Sequence, residues 1–401
     1  MSTDMQSNIF KQRLMSVFHI WKQEYLNIMR EPGVLIIFFA ATLLYPLLYG
    51  IIYGNEVLRE IPVAVIDMSQ SSMSRKYIQA LDATPELYVA FKPQSLKEAE
   101  ELFYRHQIHG IIFISSDFDK NIYRGTQSFV SVYLDMSSFL YYKATLTAVS
   151  IVSREVGAQI QYQNLLSTGL TTQQAAVSVN PLPCEGMSIF NGGGGFGSFL
   201  LPAVFILIFY QTLILGINML AGVYWEENRY KNLIIHQNRR FGTLDIVFGK
   251  GFCYFSLYMV LAFYLTGLIP RIYNLPHIGN GWTLFLFMIP FLLSTTFLAM
   301  TISIFMRNME SAFLLLLFST LPLLFLAGAS WPQSGIPAFW KAVSYLFPST
   351  HGIQGYIRIN TMNAGLNEVA KEYFILWLET GVYFLTACLV YDRLIKKSRA
   401  K

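Results

Sequence analysis

An uncharged run of 20 residues, Val34 to Tyr53 (VLIIFFAATLLYPLLYGIIY), constrains this chain more than any other feature. At about 1.5 Å per residue, a helix of that length crosses a hydrocarbon core of about 30 Å. Five more such runs follow: Phe199 to Tyr224, Gly251 to Ile269, Trp282 to Met306, Ala312 to Gly328 and Tyr373 to Tyr391. The sequence therefore predicts an α-helical polytopic membrane protein with six transmembrane helices. Apolar residues at 54% and charged residues at 13% agree, since a soluble chain of this size would be hard to keep in solution with that balance.

Orientation follows from the lysines and arginines near the span ends. Lys11, Arg13, Lys22 and Arg30 precede the first span, Arg229, Lys231, Arg239, Arg240 and Lys250 lie between the second and third, and Arg393, Lys396, Lys397, Arg399 and Lys401 follow the sixth. The third-to-fourth connection has only Arg271, and the fifth-to-sixth only Lys341, Arg358 and Lys371. Both termini are thus expected in the cytoplasm, with residues from about 55 to 197 outside. The net charge of +5 is mostly this topology signal and gives no reason to expect nucleic acid. The first span lies behind a polar leader and is too long for a signal-peptide apolar region, so it reads as an uncleaved anchor. Cys184, Cys253 and Cys388 are too scattered to suggest a disulfide or a cysteine metal site.

Residues 1–33 read as a cytoplasmic amphipathic interfacial helix. Phe10, Leu14, Val17, Trp21, Tyr25 and Ile28 recur every three or four residues, Lys11, Lys22, Gln23 and Glu24 take other faces, and Glu31-Pro32-Gly33 breaks the helix. Such a helix suits the membrane surface or a partner protein. After the first span (34–53), residues 54–198 have the composition of a folded domain. Strands are expected at Ile61 to Asp67, Leu87 to Phe91, Gly110 to Ile114 and Phe129 to Asp135, with helices at Ser71 to Leu81, Ser95 to Arg105 and Phe139 to Leu166. This is a mixed α/β extracytoplasmic domain whose terminal elements are expected to continue into the adjoining spans. Residues 199–391 hold spans two to six, with a cytoplasmic segment 225–250 and an outer segment 329–372; residues 392–401 form a basic cytoplasmic tail. The glycine run Asn191 to Gly197 reads as a flexible linker, or else as a hinge.

Chemistry-bearing motifs are sparse. There is no G-x-x-x-x-G-K-S/T loop, G-x-S-x-G elbow or H-E-x-x-H pair, so the residues identify no catalytic, cofactor-binding or metal site. His106 and His109 are the one close pair among six histidines, and Gly110 ends the helix they would need to share. Glu379 lies inside the sixth predicted span, where a carboxylate is costly unless it meets a partner or water; it is either a functional group or an interface residue reaching outward. Gln211 and Asn218 in the second span read as interhelical hydrogen-bonding residues. Trp225 to Lys250 mixes acidic, basic and apolar residues, as a docking surface for a soluble partner would, or a plain charged loop. The tryptophans and prolines of WPQSGIPAFWKAVSYLFPSTHGIQGYIRI, from Trp331, suggest short helices half immersed in the outer interface.

Together these features resemble the type-2 ABC transporter permeases, in the exporter branch with a large extracytoplasmic domain after the first span. Glu226-Glu227-Asn228, then Phe241-Gly242-Thr243-Leu244-Asp245 and Gly249-Lys250, resemble the family's acidic and coupling segment. Gly328, Trp331-Pro332, Ile336-Pro337 and Leu346-Phe347-Pro348-Ser349-Thr350, ending near Arg358, resemble its outer re-entrant segment. The leader ending at Pro32-Gly33 resembles its interfacial connecting helix. Where the family continues the acidic segment with a glycine and a threonine, this chain has Asn228-Arg229-Tyr230-Lys231-Asn232.

The resemblance implies a permease subunit of an ATP-binding-cassette exporter in a bacterial inner membrane. It would be no enzyme itself: ATP and Mg would be held by separate ATPase subunits, contacted by Glu226, Glu227, Arg229, Lys231, Arg239, Arg240, Asp245 and Lys250. It further implies a homodimer or a heterodimer with a paralogue, a periplasmic adaptor and outer-membrane channel as further partners, and a drug-like or amphipathic substrate. The competing reading is a membrane receptor or scaffold whose outer domain binds a ligand.

Overall fold

The computed structural model describes residues 2–54, 56–184, 186–187, 189–233 and 242–399. The chain divides into two compact units, Met1–Glu56 with Ser188–Lys401, and Val57–Met187.

Helix α1 (Ser2–Arg30) opens the first unit. Glu31, in extended conformation, breaks it, and Pro32 starts the next helix, where its missing N–H costs nothing. Among the described residues six helices are long and apolar enough to cross a membrane: Pro32–Ile52, Phe196–Glu226, Gly242–Ile272, Gly281–Phe305, Met309–Leu326 and Ala370–Arg399. They coincide with the six apolar runs, with one shift of consequence. The third span starts at Gly242, so Asp245 and Lys250 belong to a helix and not to the connection before it.

In the Val57–Met187 unit, strands β1 (Ile61–Asp67), β2 (Leu87–Phe91), β3 (Gly110–Ile114) and β4 (Val130–Leu134) alternate with helices α2 (Ser72–Asp82), α3 (Leu96–Tyr104), α4 (Phe118–Tyr123), α5 (Phe139–Ser167) and α6 (Thr172–Val179). The sheet order is β2-β1-β3-β4, with β1 parallel to both neighbours and β4 antiparallel to β3. The two-residue period of β1 puts Ile61, Val63 and Val65 against α2, α4 and α5, and Ala64 and Ile66 against α3 on the other face. Every expected element is present; α4 and α6 are additional. The expected continuity of α5 with the second span is absent. Gly169, at φ +90, and the turn around it end α5, α6 follows, and residues 189–195 are irregular.

The second span is the hub of the first unit. It packs against the first, fourth and fifth spans and against α8 (Pro348–Met362), which follows the short α7 (Ala338–Ser344). Almost all its side chains from Leu201 to Tyr224 are buried, as its all-round apolar sequence requires. Small residues permit this closeness: a Cβ on Gly216 would overlap the Phe38 ring, and one on Gly222 would stand 2.4 Å from the Asn308 carbonyl oxygen. Tyr264 and Tyr273 each donate at 2.8 Å to first-span carbonyls, of Leu43 and Leu47. The glycine run is split in use. Around Gly192 and Gly193 lies open space, whereas Gly195 and Gly197 lie against Glu56 and Tyr53, letting the Glu56 carboxylate accept from Ser198 at 2.7 Å beside the amino end of the second span.

Candidate functional site

Helix α1 lies along the third span and meets it through a buried polar cluster. Glu24 and Lys250 are 1% and 2% exposed, with Nζ 2.9 Å from the carboxylate. Tyr224 of the second span donates to Glu24 Oε2 at 2.7 Å, and Tyr254 of the third donates to Oε1. Asn27 donates to the Tyr224 hydroxyl at 2.7 Å, and Lys250 Nζ lies 3.7 Å over the Tyr224 ring. Removing two charges from water is expensive, and only this many directed partners offset it. Two outer ties flank the cluster: Arg13 to Asp245 at 3.1 Å, and Arg229 to Glu31 at 3.4 Å. Trp21 adds a bond to Ser256 at 3.2 Å.

This divides the residues singled out between the second and third spans. Glu226, Glu227 and Lys231 are exposed; Arg229 is half-buried and pairs with both Glu31 and Glu227. Asp245 and Lys250 are engaged inside the chain by Arg13 and Glu24. Arg239, Arg240 and His236 lie outside the described residues. The leader's stripe is split as well: Ile28 is buried and Val17 and Trp21 half-buried, but Leu14 and Tyr25 are exposed, while Glu24, expected on a polar face, is buried. The Phe10 side chain lies outside those described.

Asn228, just beyond the end of the second span, has φ +53, the left-handed conformation glycine adopts most readily and asparagine next. Asparagine is thus a conformationally conservative replacement for the glycine that the resemblance leads one to expect there. Ser398, at the end of the sixth span, donates to the Asn228 side chain.

In segment 329–372, Trp331, Pro332 and Pro337 are exposed, whereas Pro348 is buried at the start of α8. Arg358 reaches Glu372 of the sixth span at 3.3 Å and the carbonyl of Glu368. His351, buried on α8, is pulled down to about 4 by burial and by the nearby Lys371, and its Nε2 has no hydrogen-bond partner among the described residues. Glu379 is 4% exposed, and neither carboxylate oxygen has a hydrogen-bond partner there. It is enclosed between spans and does not reach outward. Gln211 accepts from Thr320 of the fifth span at 2.7 Å, an interhelical bond, but Asn218 donates at 2.8 Å to its own helix, at Ile214. Among the described residues no three of His, Cys, Asp and Glu are grouped as a metal site.

Six apolar spans, an α/β unit inserted after the first, and a leader helix locked to the third define a polytopic helical membrane protein. Residues 32–389 match the family described as "ABC-2 family transporter protein", and the chain belongs to that family. A stretch of 99 residues is 32% identical to the linearmycin resistance permease protein LnrN of Bacillus subtilis (strain 168), spanning 24% of this chain and 25% of that one.

Proposed function

We propose that this chain is the permease subunit of an ATP-binding-cassette exporter in a bacterial inner membrane, moving a drug-like or other amphipathic compound outward. Both termini face the cytoplasm and the Val57–Met187 unit faces out, a reading that the lysine and arginine asymmetry supports. Two permease chains, identical or paralogous, pair and bind two ATPase subunits, which supply ATP and Mg. A periplasmic adaptor and an outer-membrane channel extend the path. The local likeness to a linearmycin resistance permease supports a drug-like compound as substrate class.

The observation that carries the reading is the Glu24–Lys250 cluster. It ties the leader, the second span and the third span at their basic ends, beside exposed Glu226, Glu227 and Lys231. A push by an ATPase on that exposed edge reaches three helices at once, and a two-state rearrangement of packed helices is how such a push becomes a change of access.

The test is reconstitution with the cassette ATPase that copurifies from the native membrane. Glu227→Lys, at an exposed position, should cut substrate-stimulated ATPase activity at least tenfold while leaving the spans inserted. Unchanged assembly and unchanged coupled hydrolysis would remove Glu227 from the contact; the absence of any copurifying ATPase would remove the reading itself.

A further inference from the structure

The Val57–Met187 unit contains a groove of about 680 Å³ that the transport reading does not use. Strand order β2-β1-β3, with α2 on one face and α3 on the other, reverses direction between β1 and β3. In open α/β sheets the crevice beyond the carboxyl ends of the strands at such a reversal is where ligands bind. The groove lies at that end of the sheet, on the β4 side of the reversal, since Ile114 closing β3 pairs with Val130 of β4, and Val130 lines the groove with residues of α2, α4 and α5.

The lining has a definite chemistry. Phe118, Ile122, Val156 and Ile160 form an apolar wall, Gln127, Gln161 and Asn164 supply amides, and Tyr77 and Ser153 share a hydroxyl pair at 2.7 Å. Among the described lining residues there is no Asp, Glu, Lys or Arg. A charged ligand would leave water without a counter-charge, while an uncharged one could bury its apolar body and still find hydrogen bonds.

Gly157 adds an independent observation. It sits in the interior of the 29-residue α5, where glycine is unfavourable relative to alanine, yet a Cβ there would meet no atom within 4 Å. Close packing does not account for it. Gly157 lines the groove and places no side chain there.

We propose that this groove binds an uncharged amphipathic small molecule, its apolar body along α5 and its hydroxyl or amide groups against Gln127, Gln161 and Asn164. The volume falls in the range of small-molecule sites.

The full-length protein in lipid nanodiscs, without ATP or ATPase, provides the test, so that failure of the export reading leaves the result standing. Octyl glucoside below its micellar concentration is titrated as the uncharged probe, octyl sulfate and octyltrimethylammonium as charged counterparts, and amide hydrogen exchange is followed by peptide. Saturable protection of residues 122–130 and 153–164 by the glucoside is expected, at least tenfold weaker with either charged amphiphile. Gly157→Trp, which extends into open space, should abolish it without changing exchange elsewhere in residues 57–187; Gly157→Leu, a smaller obstruction, should weaken it at least tenfold and decides the matter if the tryptophan perturbs the fold. Absence of protection, equal protection by the charged probes, or full protection in the folded leucine variant overturns the site.

Discussion

The Glu24 carboxylate accepts from the Lys250 ammonium at 2.9 Å across 226 residues of sequence. Neither charge reaches water, so each is held in place by the other together with Tyr224 and Tyr254. A leader that merely rested on a membrane surface would need no such pair. The helix is instead fastened to two spans by a contact whose loss leaves a buried charge.

Removing one partner should therefore be worse than removing both. Glu24→Gln or Lys250→Met alone should destabilise the protein by about 3–5 kcal/mol, because an uncompensated charge stays buried. The pair Glu24→Leu with Lys250→Met should recover most of that, since apolar residues of similar volume are tolerated where an ion pair stood. Thermal unfolding in detergent, analysed as a double-mutant cycle, measures this; additive losses would show the two charges to be independent.

Two glycines of the second span make contrasting predictions. Gly216→Ala pushes into the Phe38 ring, a side chain that can yield, at a cost of about 1–3 kcal/mol. Phe38→Leu should restore stability. Gly222→Ala meets the backbone of Asn308 and Met309, at the start of the fifth span, and no single side-chain change should rescue it. Expression level and melting temperature of the four proteins distinguish the cases; rescue of both variants by Phe38→Leu would contradict the packing.

Most of the architecture was legible because it is written in runs and periods. Ile61 to Asp67 is apolar on both faces because both faces are covered, and its bounds could be read to the residue. Short α4 has no such signal, for six residues give no helical period. At the polar cluster, pattern misled. A glutamate among Lys22 and Gln23 reads as solvated until Lys250 is known to face it, and that partner is remote in sequence. Lys250 in turn looked like part of a charged connection because Asp245 and Lys250 masked the true start of the third span at Gly242. The glycines Gly195 and Gly197 looked like a linker since sequence does not show that Glu56 and Tyr53 pack against them.

His351 gives a pH signature. Its folded-state pKa, lowered to about 4 from an ordinary 6.5 by burial and Lys371, means that the folded protein resists a proton the unfolded chain accepts. The unfolded state therefore binds more protons between these values. Stability from this group is complete above about pH 6.5 and is lost as pH falls toward 4, by roughly 3 kcal/mol in all. Unfolding midpoints of the parent and His351→Gln across this range measure it; the two curves should converge in shape above pH 6.5 and diverge below, and parallel curves throughout would exclude the histidine as the cause.

Glu379 has a carboxylate enclosed between spans with neither oxygen satisfied among the described residues. Leaving a buried polar group unpaired costs about 1–3 kcal/mol, and more for a charge. Replacing it should therefore stabilise the isolated protein, Glu379→Leu more than Glu379→Gln, because leucine removes the polar group altogether. Retaining a costly group is understandable if a working transporter uses it, since function and stability then pull in opposite directions. The expected result is a leucine variant that melts higher than the parent, assembles normally and has lost most of its transport, with the glutamine variant intermediate in both. Melting temperature in detergent and transport in proteoliposomes are measured on the same preparations. If the leucine variant transports like the parent, the carboxylate has no part in the cycle; if it melts lower, the oxygens have partners in the membrane that the isolated chain does not hold.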